Sequence, residues 1–577
     1  MDLLCKEKIL SNDYADWIID FELTEELQRL DQSGVDYCYN KIDDVLGIVY
    51  AKRSQMEEIG VLNYPYQQIP SLLAEASLFT EETDSVFDPI PLAETGISRI
   101  QREPLKLRGK GTVMVFIGSG IDYTNSVFRK SDGSTRILAV WDQNVQEGTP
   151  PATARYGREY KKEEIDDALK SDNPREILPI MDESGVITSL ASVAAGSPLV
   201  SPDIFSGVAP ETEIVVVKLK ECKPYLRDYY LLGKQAKAYQ STDIIKAVEY
   251  GDSFAREFYR PVIFCITLGS NYGSHSGNTP LSRYLERIGR KRGRTVVIYS
   301  GEEGNKNHHF STVIGVQEEN NREEIELRVG EEERGFLTEI WGSLPNRYVV
   351  GVRSPSGEQL VIEKREQKRG IQYQFEYENT SLAITYAAPD SDLGDQLIIL
   401  RFENPAEGIW TIILERETGV GESPVHLWLP NEKFLSGETY FLKPNPQVTL
   451  TVPAFVKNAV SVTAYNVQNN SIYPSCGRGF SRTGEIKPDL AAPGVEISTV
   501  LKSIPGQLRI GKQTGAALAA AITAGTAAQL LEWAYRDKNA NYLNSNEVRS
   551  IFIQLANRDR NFMYPNPVWG WGKLRIN

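Results

Sequence analysis

Residues 113–129 have the sequence VMVFIGSGIDYTNSVFR, in which a continuous apolar run ends in a glycine-rich turn. Similar runs follow at 213–219 (EIVVVKL), 260–269 (RPVIFCITLG) and 294–300 (RTVVIYS), and a helix-like segment at 236–257 separates two of them. Near-continuous apolar strands separated by helices are typical of a parallel sheet that is covered on both faces. The sequence therefore predicts an α/β domain.

Composition and periodicity divide the chain into five predicted regions. The first contains short β-prone and amphipathic segments, the second is polar, and the fourth contains closely spaced strands with Gly, Pro, Asn and Asp between them. The regions are an α+β module (1–83), a linker or tail (84–97), the first part of the α/β domain (98–320), an all-β insertion, sandwich or jelly roll (321–451), and the second part of the α/β domain (452–577).

The bulk properties exclude several classes of protein. The 63 basic and 77 acidic residues give a net charge of -14 without a long Lys/Arg run, so we expect no nucleic-acid partner. Five scattered cysteines predict neither a disulfide framework nor a zinc site. The first residues, MDLLCKEKILSNDY, contain no signal-peptide h-region, so we expect synthesis in the cytosol without export by the general route. The Ala-rich segment from Ala516 contains Gln529 and Glu532, which favours a buried core helix over a membrane span.

Seven segments resemble, in order, the subtilisin-like serine proteases, and most closely the clostridial Csp proteins that control spore germination. The resemblance implies a subtilisin-like parallel sheet flanked by helices, an N-terminal α+β prodomain and an inserted jelly-roll domain. The segments are GTVMVFIGSGIDYTNSVFR (111–129), DESGVITSLASVAAG (182–196), FSGVAPETEIVVVKLK (205–220), ITLGSNYGSHSG (266–277), VVIYSGEEGN (296–305), FSRTGEIKPDLAAPGVEISTV (480–500) and QTGAALAAAITAGTAAQLL (513–531).

The resemblance also identifies the positions that should carry catalysis. A serine protease needs a nucleophile, a base, a carboxylate that orients the base, and donors for the oxyanion. In this sequence Gly118 stands at the aspartate position, Val186 at the histidine position, Ala517 at the serine position and Glu302 at the oxyanion asparagine position. We therefore expect a pseudoprotease and no enzyme activity, in the manner of the CspA- or CspC-like inactive members.

No obvious substitute for the lost groups is present. Asp122 matches a second acidic position of the family and is interpreted as a turn residue, and Thr514 is one turn from the nucleophile position. The four histidines are predicted to be structural or exposed; they are His275, His308, His309 and His426. Without a nucleophile the chain cannot cut itself, so we expect residues 1 to about 97 to remain attached, with the tail around Asp88–Ile100 in or near the cleft.

The resemblance implies a non-catalytic regulatory protein of the bacterial spore, in the cortex or coat region. Its expected partners are an active Csp protease that activates a cortex-hydrolase zymogen, other germination regulators, and a small germinant or cogerminant such as a bile salt, an amino acid or calcium. No cofactor is expected; calcium is compatible with the acidic clusters, although none has EF-hand spacing. Two alternatives stay open: a residually active serine endopeptidase, and a structural spore protein without a ligand.

Overall fold

The N-terminal region is a small antiparallel sheet with two helices. The computed structural model describes residues 3–20, 23–81, 90–199, 205–315, 321–361, 370–387, 394–502, 508–536 and 543–576. The three strands are in the order β1-β3-β2, and two shorter strands follow them along the chain. The elements are α1 (Leu3–Leu10), β1 (Tyr14–Asp20), α2 (Leu23–Ser33), β2 (Tyr37–Lys41), β3 (Leu46–Lys52), β4 (Leu72–Glu75) and β5 (Phe79–Glu81).

A disulfide joins Cys5 of α1 to Cys38 of β2, with the Cα atoms 5.7 Å apart. The cysteine spacing did not indicate this pair, because the two residues are 33 positions apart and meet only when α1 packs against the sheet. The other three cysteines are buried and free: Cys222, Cys265 and Cys476.

The next region alternates strands and helices, as the apolar runs predicted. Its elements are α3 (Ile90–Glu94), α4 (Ile97–Ile100), β6 (Val113–Gly118), β7 (Ile137–Asp142), β8 (Arg158–Lys161), α5 (Lys162–Ala168), α6 (Pro174–Ile177), α7 (Val186–Ala195), β9 (Glu213–Lys218), α8 (Pro224–Tyr229), β10 (Tyr239–Gln240), α9 (Ser241–Glu257), β11 (Val262–Ile266), β12 (Leu268–Gly269), α10 (Pro280–Arg290) and β13 (Arg294–Tyr299).

An all-β unit of two antiparallel sheets follows. One sheet has the order β14-β23-β16-β21-β20-β19 and the other β18-β17-β22-β15-β24, and apolar side chains from both fill one core. The unit begins with β14, so the predicted boundary at residue 321 falls inside it. The strands are β14 (His309–Ile314), β15 (Arg322–Val329), β16 (Gly335–Ser343), β17 (Arg347–Arg353), β18 (Gln359–Leu360), β19 (Ile371–Phe375), β20 (Thr380–Tyr386), β21 (Asp395–Glu403), β22 (Gly408–Thr418), β23 (Ser423–Trp428) and β24 (Tyr440–Phe441).

The last part of the chain returns to the α/β domain and completes its sheet. The main path is β26-β25-β13-β11-β6-β9-β7-β8, and β27 pairs with β25. The six strands from β25 to β7 are parallel to one another, and β26 and β8 pair antiparallel at the two ends of the path. The remaining elements are β25 (Val460–Asn466), β26 (Ser471–Ile472), β27 (Leu490–Pro493), β28 (Ile497–Val500), β29 (Ile510–Thr514), α11 (Ala516–Arg536) and α12 (Ser545–Leu555).

Both faces of this sheet are buried. Alternate residues of β6 point to opposite sides: Met114 and Phe116 join the core beneath α7 and α11, whereas Val115 and Ile117 join the core beneath α9 and α10. The Ala-rich α11 is buried from Ala516 to Glu532, as a core helix should be. Among the described residues, no helix is long and apolar enough to cross a membrane.

Candidate functional site

The four predicted site residues lie at the edge where parallel strands end and helices begin. Gly118 is the last residue of β6, and Glu302 follows the end of β13. Val186 is the first residue of α7, and Ala517 lies in the first turn of α11. The crevice beyond the carboxyl ends of parallel strands is the usual ligand site of open α/β sheets. The fold therefore positions these residues where a site is expected.

Glu302 is in direct contact with the start of α11. Its Oε1 accepts a hydrogen bond from the backbone N–H of Ala516 at 2.9 Å. Burial raises the pKa of Glu302, while the N–H groups of Ala516 and Ser77 favour its ionised form. The Glu302 carboxyl group accepts hydrogen bonds from these amides, whereas an oxyanion hole requires groups that donate hydrogen bonds.

The space beside Gly118 is filled by a carboxyl group from the N-terminal region. Glu75 Oε1 accepts a hydrogen bond from the N–H of Ser119 at 2.8 Å, and Glu75 Oε2 accepts one from Ser184 Oγ at 2.8 Å. A Cβ atom at Gly118 would lie 2.2 Å from Glu75 Oε1 and 2.8 Å from Ile187 Cδ1. A larger residue at position 118 is thus incompatible with Glu75 in this position. Sequence analysis did not identify Glu75, because it reaches this position only through packing of the N-terminal region against β6.

Residues 72–81, which we call the cleft segment, run through this crevice as an extended chain. On one side of Ala76, β4 lies between β10 and β12 and pairs antiparallel with both. On the other side, β5 pairs antiparallel with β29. Ala76 N–H donates to the carbonyl of Thr267 at 2.9 Å. The cleft segment thus makes main-chain contacts of the kind that a bound peptide makes, as the central strand between β10 and β12 and as an edge strand beside β29.

The centre of the cleft segment lies against the start of α11. A Cβ atom at Gly515 would be 2.9 Å from the carbonyl oxygen of Ser77, 2.8 Å from Leu78 Cδ2 and 3.2 Å from Glu302 Oε1. The absence of a side chain at Gly515 therefore allows the main chain at Ser77 to approach the helix terminus. The cleft segment therefore reaches both sides of the crevice: Glu75 lies beside Gly118, and Ser77 lies near Glu302.

The expected position of the tail is corrected by this arrangement. The sequence predicted Asp88–Ile100 in or near the cleft; Asp88 lies outside the described residues. Pro89 also lies outside them, and residues 90–100 contain α3 and α4. Thr95, between the two helices, accepts a hydrogen bond from the N–H of Ile576, near the other end of the chain, at 2.8 Å. The cleft is occupied by 72–81 instead. The sequence placed these residues in the α+β module (1–83) without assigning them to the cleft, because they lack the length and alternation of a long strand.

Lys433, from the all-β unit, also contacts the cleft segment. Its Nζ donates a hydrogen bond to the carbonyl oxygen of Glu75. Burial lowers the pKa of Lys433, and the neighbouring carboxyl groups, Glu75 and Glu302 foremost, oppose that change. The all-β unit therefore contributes a positive charge to a site that otherwise contains buried acids. The sequence did not identify this residue, because nothing in the strand pattern relates it to the cleft.

The groups weighed as catalytic substitutes have other contacts. The Asp122 carboxylate accepts hydrogen bonds from Thr124 and is paired with Arg175 at 2.9 Å. Thr514 Oγ1 accepts a hydrogen bond from the N–H of Glu496 at 3.0 Å. Neither side chain is directed by these contacts toward Ala517.

The four histidines are buried in one region between the cleft and the all-β unit. His275 stacks on Trp428 with ring centroids 4.0 Å apart, and His309 Nε2 lies 3.0 Å from His426 Nδ1. His308 Nδ1 lies 2.6 Å from Glu303 Oε2. Burial opposes ionisation of Glu303, but His308 and Asn271 hold its pKa below the usual value. These contacts are structural.

Among the described residues of the site there are several carboxyl groups, and Ser184, which is hydrogen-bonded to one of them, does not lie at the nucleophile position that Ala517 occupies. Gly118, Val186 and Ala517 carry no atom that can accept a proton or attack a carbonyl. Within the described residues, no group of three or more His, Cys, Asp or Glu side chains is arranged to hold a metal ion. The crevice holds an extended peptide, the cleft segment, which belongs to the same chain.

This fold and crevice define a subtilisin-like α/β domain. Residues 431–572 match the family model described as the subtilase family, Peptidase S8. The structure of the CspB protease of Clostridium perfringens is 27% identical, with a TM-score of 0.73, and the match covers 84% of this chain and 97% of that one. Residues 431–572 are therefore similar to the S8 subtilase family, and the chain has a subtilisin-like fold that resembles CspB over most of its length. The sequence-based prediction of the α/β class is confirmed.

Other solved structures match with lower scores. Fervidolysin from Fervidobacterium pennivorans is 12% identical with a TM-score of 0.45, covering 97% of this chain and 60% of that one. The epidermin leader peptide processing serine protease of Staphylococcus aureus is 12% identical with a TM-score of 0.44, covering 98% of both chains. No curated protein sequence matches this chain.

Proposed function

We propose that this protein is a pseudoprotease: a subtilisin-like protein that binds but does not cleave. The observation that supports it is the cleft segment, which occupies the crevice with hydrogen bonds on both sides of Ala76. Gly118, Val186, Ala517 and Glu302 are then the degenerate counterparts of the aspartate, histidine, serine and oxyanion asparagine. With the three catalytic side chains replaced, turnover falls by a factor on the order of 10⁶, and Glu302 removes an oxyanion donor as well.

A fluorophosphonate probe tests this proposal against the residually active peptidase. The purified protein should remain unlabelled and run as a single band of 64.7 kDa, without a separate N-terminal fragment. Subtilisin serves as the labelling control, and Ala517→Ser reports whether a hydroxyl at this position alone restores reactivity. Labelling of the unaltered protein, or its conversion to two fragments without added protease, contradicts the proposal.

For the biological role we propose regulation of spore germination, by analogy with the solved CspB protease and with the inactive CspA- and CspC-like proteins. In this role residues 1–83 are a retained prodomain, the two-sheet unit is a jelly-roll insertion, and the protein acts in the spore cortex or coat region. It binds an active Csp protease, a germinant or cogerminant such as a bile salt, an amino acid or calcium, or both. The 27% identity to CspB over 84% of the chain supports this placement.

Pull-down from spore extract, with the Csp protease detected by antibody, tests the partner. A thermal-shift series with taurocholate, glycine and calcium tests the ligand, because only a ligand that favours the native state raises the unfolding temperature. Capture of the protease without a ligand shift supports a regulator that senses no small molecule. Failure of both leaves the structural spore protein as the better description.

A further inference from the structure

Basic side chains gather at the edge of the sheet opposite the cleft. The strands β11, β6, β9 and β7 are consecutive neighbours and parallel, so their amino ends meet at one edge. Arg260 precedes β11, Lys110 precedes β6 and Arg136 precedes β7. The loop between β6 and β7 brings Arg129 and Lys130 to the same place. Residues separated in sequence thus form one cationic patch because of the strand order.

These residues line a depression of about 810 Å³. Six basic side chains face two acidic ones around it, in a chain whose net charge is -14. Pro198, Leu199 and Pro210 supply an apolar part of the wall. A local excess of positive charge in an acidic protein attracts anions into the depression.

Only some of these cations are neutralised by the protein. Glu211 pairs with Arg108 at 3.5 Å, and Glu213 pairs with Lys130 at 3.4 Å and also with Arg260. The other three basic side chains have no carboxylate ion-pair partner in the described part of the chain; they are Lys110, Arg129 and Arg136.

The two arginines without a carboxylate partner are held in place by uncharged groups. Arg136 donates to the carbonyl oxygens of Thr212 and Val127 and to Ser197 Oγ, and it is only 3% exposed. Arg129 donates through Nη2 to the carbonyl of Thr124 at 2.9 Å, and its buried Nε has no acceptor among the residues that the structure describes. Fixed guanidinium groups lose little conformational entropy when an anion binds, and they match phosphate and carboxylate groups in geometry.

We propose that this depression binds a small polyanion that carries phosphate or carboxylate groups. Lys110 and Arg129 contact the anion, while Arg136 contributes positive charge from the floor. The site lies at the amino edge of the sheet, so its occupancy does not depend on whether the cleft is catalytic. The volume accommodates a compact organic molecule with two or more anionic groups.

The test is calorimetric titration of the full-length protein with inorganic pyrophosphate and, separately, with citrate at low ionic strength. We expect saturable binding of at least one probe, weakening as salt is raised. Tighter binding of pyrophosphate identifies a phosphate site, and tighter binding of citrate identifies a carboxylate site. Lys110→Gln combined with Arg129→Gln should weaken binding by at least about tenfold, because two charge-assisted hydrogen bonds are lost.

Lys234→Gln is the matched control, since Lys234 is exposed and does not line the depression, and it should bind as the unaltered protein does. Lys110 is exposed, so Lys110→Gln alone carries the test if the double variant does not fold; it should weaken binding several-fold. The proposal is overturned if neither probe binds saturably, or if the variants bind with unchanged affinity.

Discussion

At the scale of single residues, the most informative position is Gly118. A glycine at the end of β6 would by itself leave an empty space, but Glu75 from the cleft segment places a carboxyl group there. Burial raises the pKa of Glu75 to about 7, and the nearby Asp182 contributes to this rise. The crevice therefore contains a carboxyl group beside β6, and that group comes from the cleft segment.

Replacing Glu75 with glutamine should make stability less dependent on pH. An acid whose pKa is higher in the folded state than in the unfolded state holds its proton longer when folded, so the protein loses stability as pH rises from about 4.5 to about 7. Glu75→Gln removes this loss, which amounts to at most about 3 kcal/mol. Urea denaturation at pH 5 and pH 8 should therefore show that the free energy of unfolding of the variant, relative to that of the unaltered protein, is higher at pH 8 than at pH 5.

The exposed Glu147 provides the control for that experiment, because Glu147→Gln should leave the pH profile unchanged. If Glu75→Gln and the unaltered protein differ by the same free energy of unfolding at both pH values, Glu75 does not titrate in this range. The conclusion that burial in the crevice raises the pKa of Glu75 would then be wrong.

At the scale of secondary-structure elements, the cleft segment depends on main-chain hydrogen bonds more than on side-chain identity. Its two strands are only four and three residues long, yet they add to two different sheets. Short strands of this kind are stabilised by their partners, and their own propensity is weak. Main-chain hydrogen bonds to the partner strands therefore hold the cleft segment in the crevice.

Ala76→Pro should release the cleft segment. Proline lacks the N–H that Ala76 donates to Thr267, and it removes this hydrogen bond between the two strand pairings. Hydrogen exchange measured by mass spectrometry should become faster in residues 72–81 and 267–269, while exchange in β16 and β21 stays slow. Ala76→Gly keeps the N–H and serves as the control. Equal protection of 72–81 in the proline variant would show that this contact does not hold the segment.

The elements also show where sequence reasoning succeeds and where it stops. Long apolar runs such as 113–118 and 213–218 predicted their strands, because burial on both faces leaves a continuous hydrophobic signal. The four candidate site residues could be named because their neighbours match an ordered motif. Glu75 and Lys433 could not, since each reaches the crevice only through tertiary packing of a different region.

At the scale of the whole molecule, buried polar groups connect the three regions. Glu339 of the all-β unit accepts hydrogen bonds from Tyr66 of the N-terminal region at 2.6 Å and from the N–H of Gly273 in the α/β domain at 2.9 Å. Because unpaired buried acceptors are costly, these contacts favour one arrangement of the three regions. Separation of any region should therefore expose both the carboxyl group of Glu339 and the cleft segment.

The buried histidines predict how the whole molecule responds to acid. Burial lowers the pKa of His275 to about 3, of His309 to about 4 and of His426 to about 2. The unfolded chain binds protons at these residues below about pH 6.5 and the folded chain does not, so stability falls as pH decreases. At pH 5 each histidine costs about 2 kcal/mol, about 6 kcal/mol together, which outweighs the gain of about 2 kcal/mol from Glu75.

Between pH 7.5 and pH 5 these three histidines should therefore lower the free energy of unfolding measured by urea denaturation, in opposition to buried acids with raised pKa values such as Glu302 and Glu339. His426→Gln should reduce that loss by about 2 kcal/mol, even if the substitution lowers stability uniformly through altered packing against His309. The exposed Lys234→Gln variant should retain the full loss. An unchanged slope in His426→Gln would mean that His426 is already charged in the folded protein, and that the region between the cleft and the all-β unit is open to water.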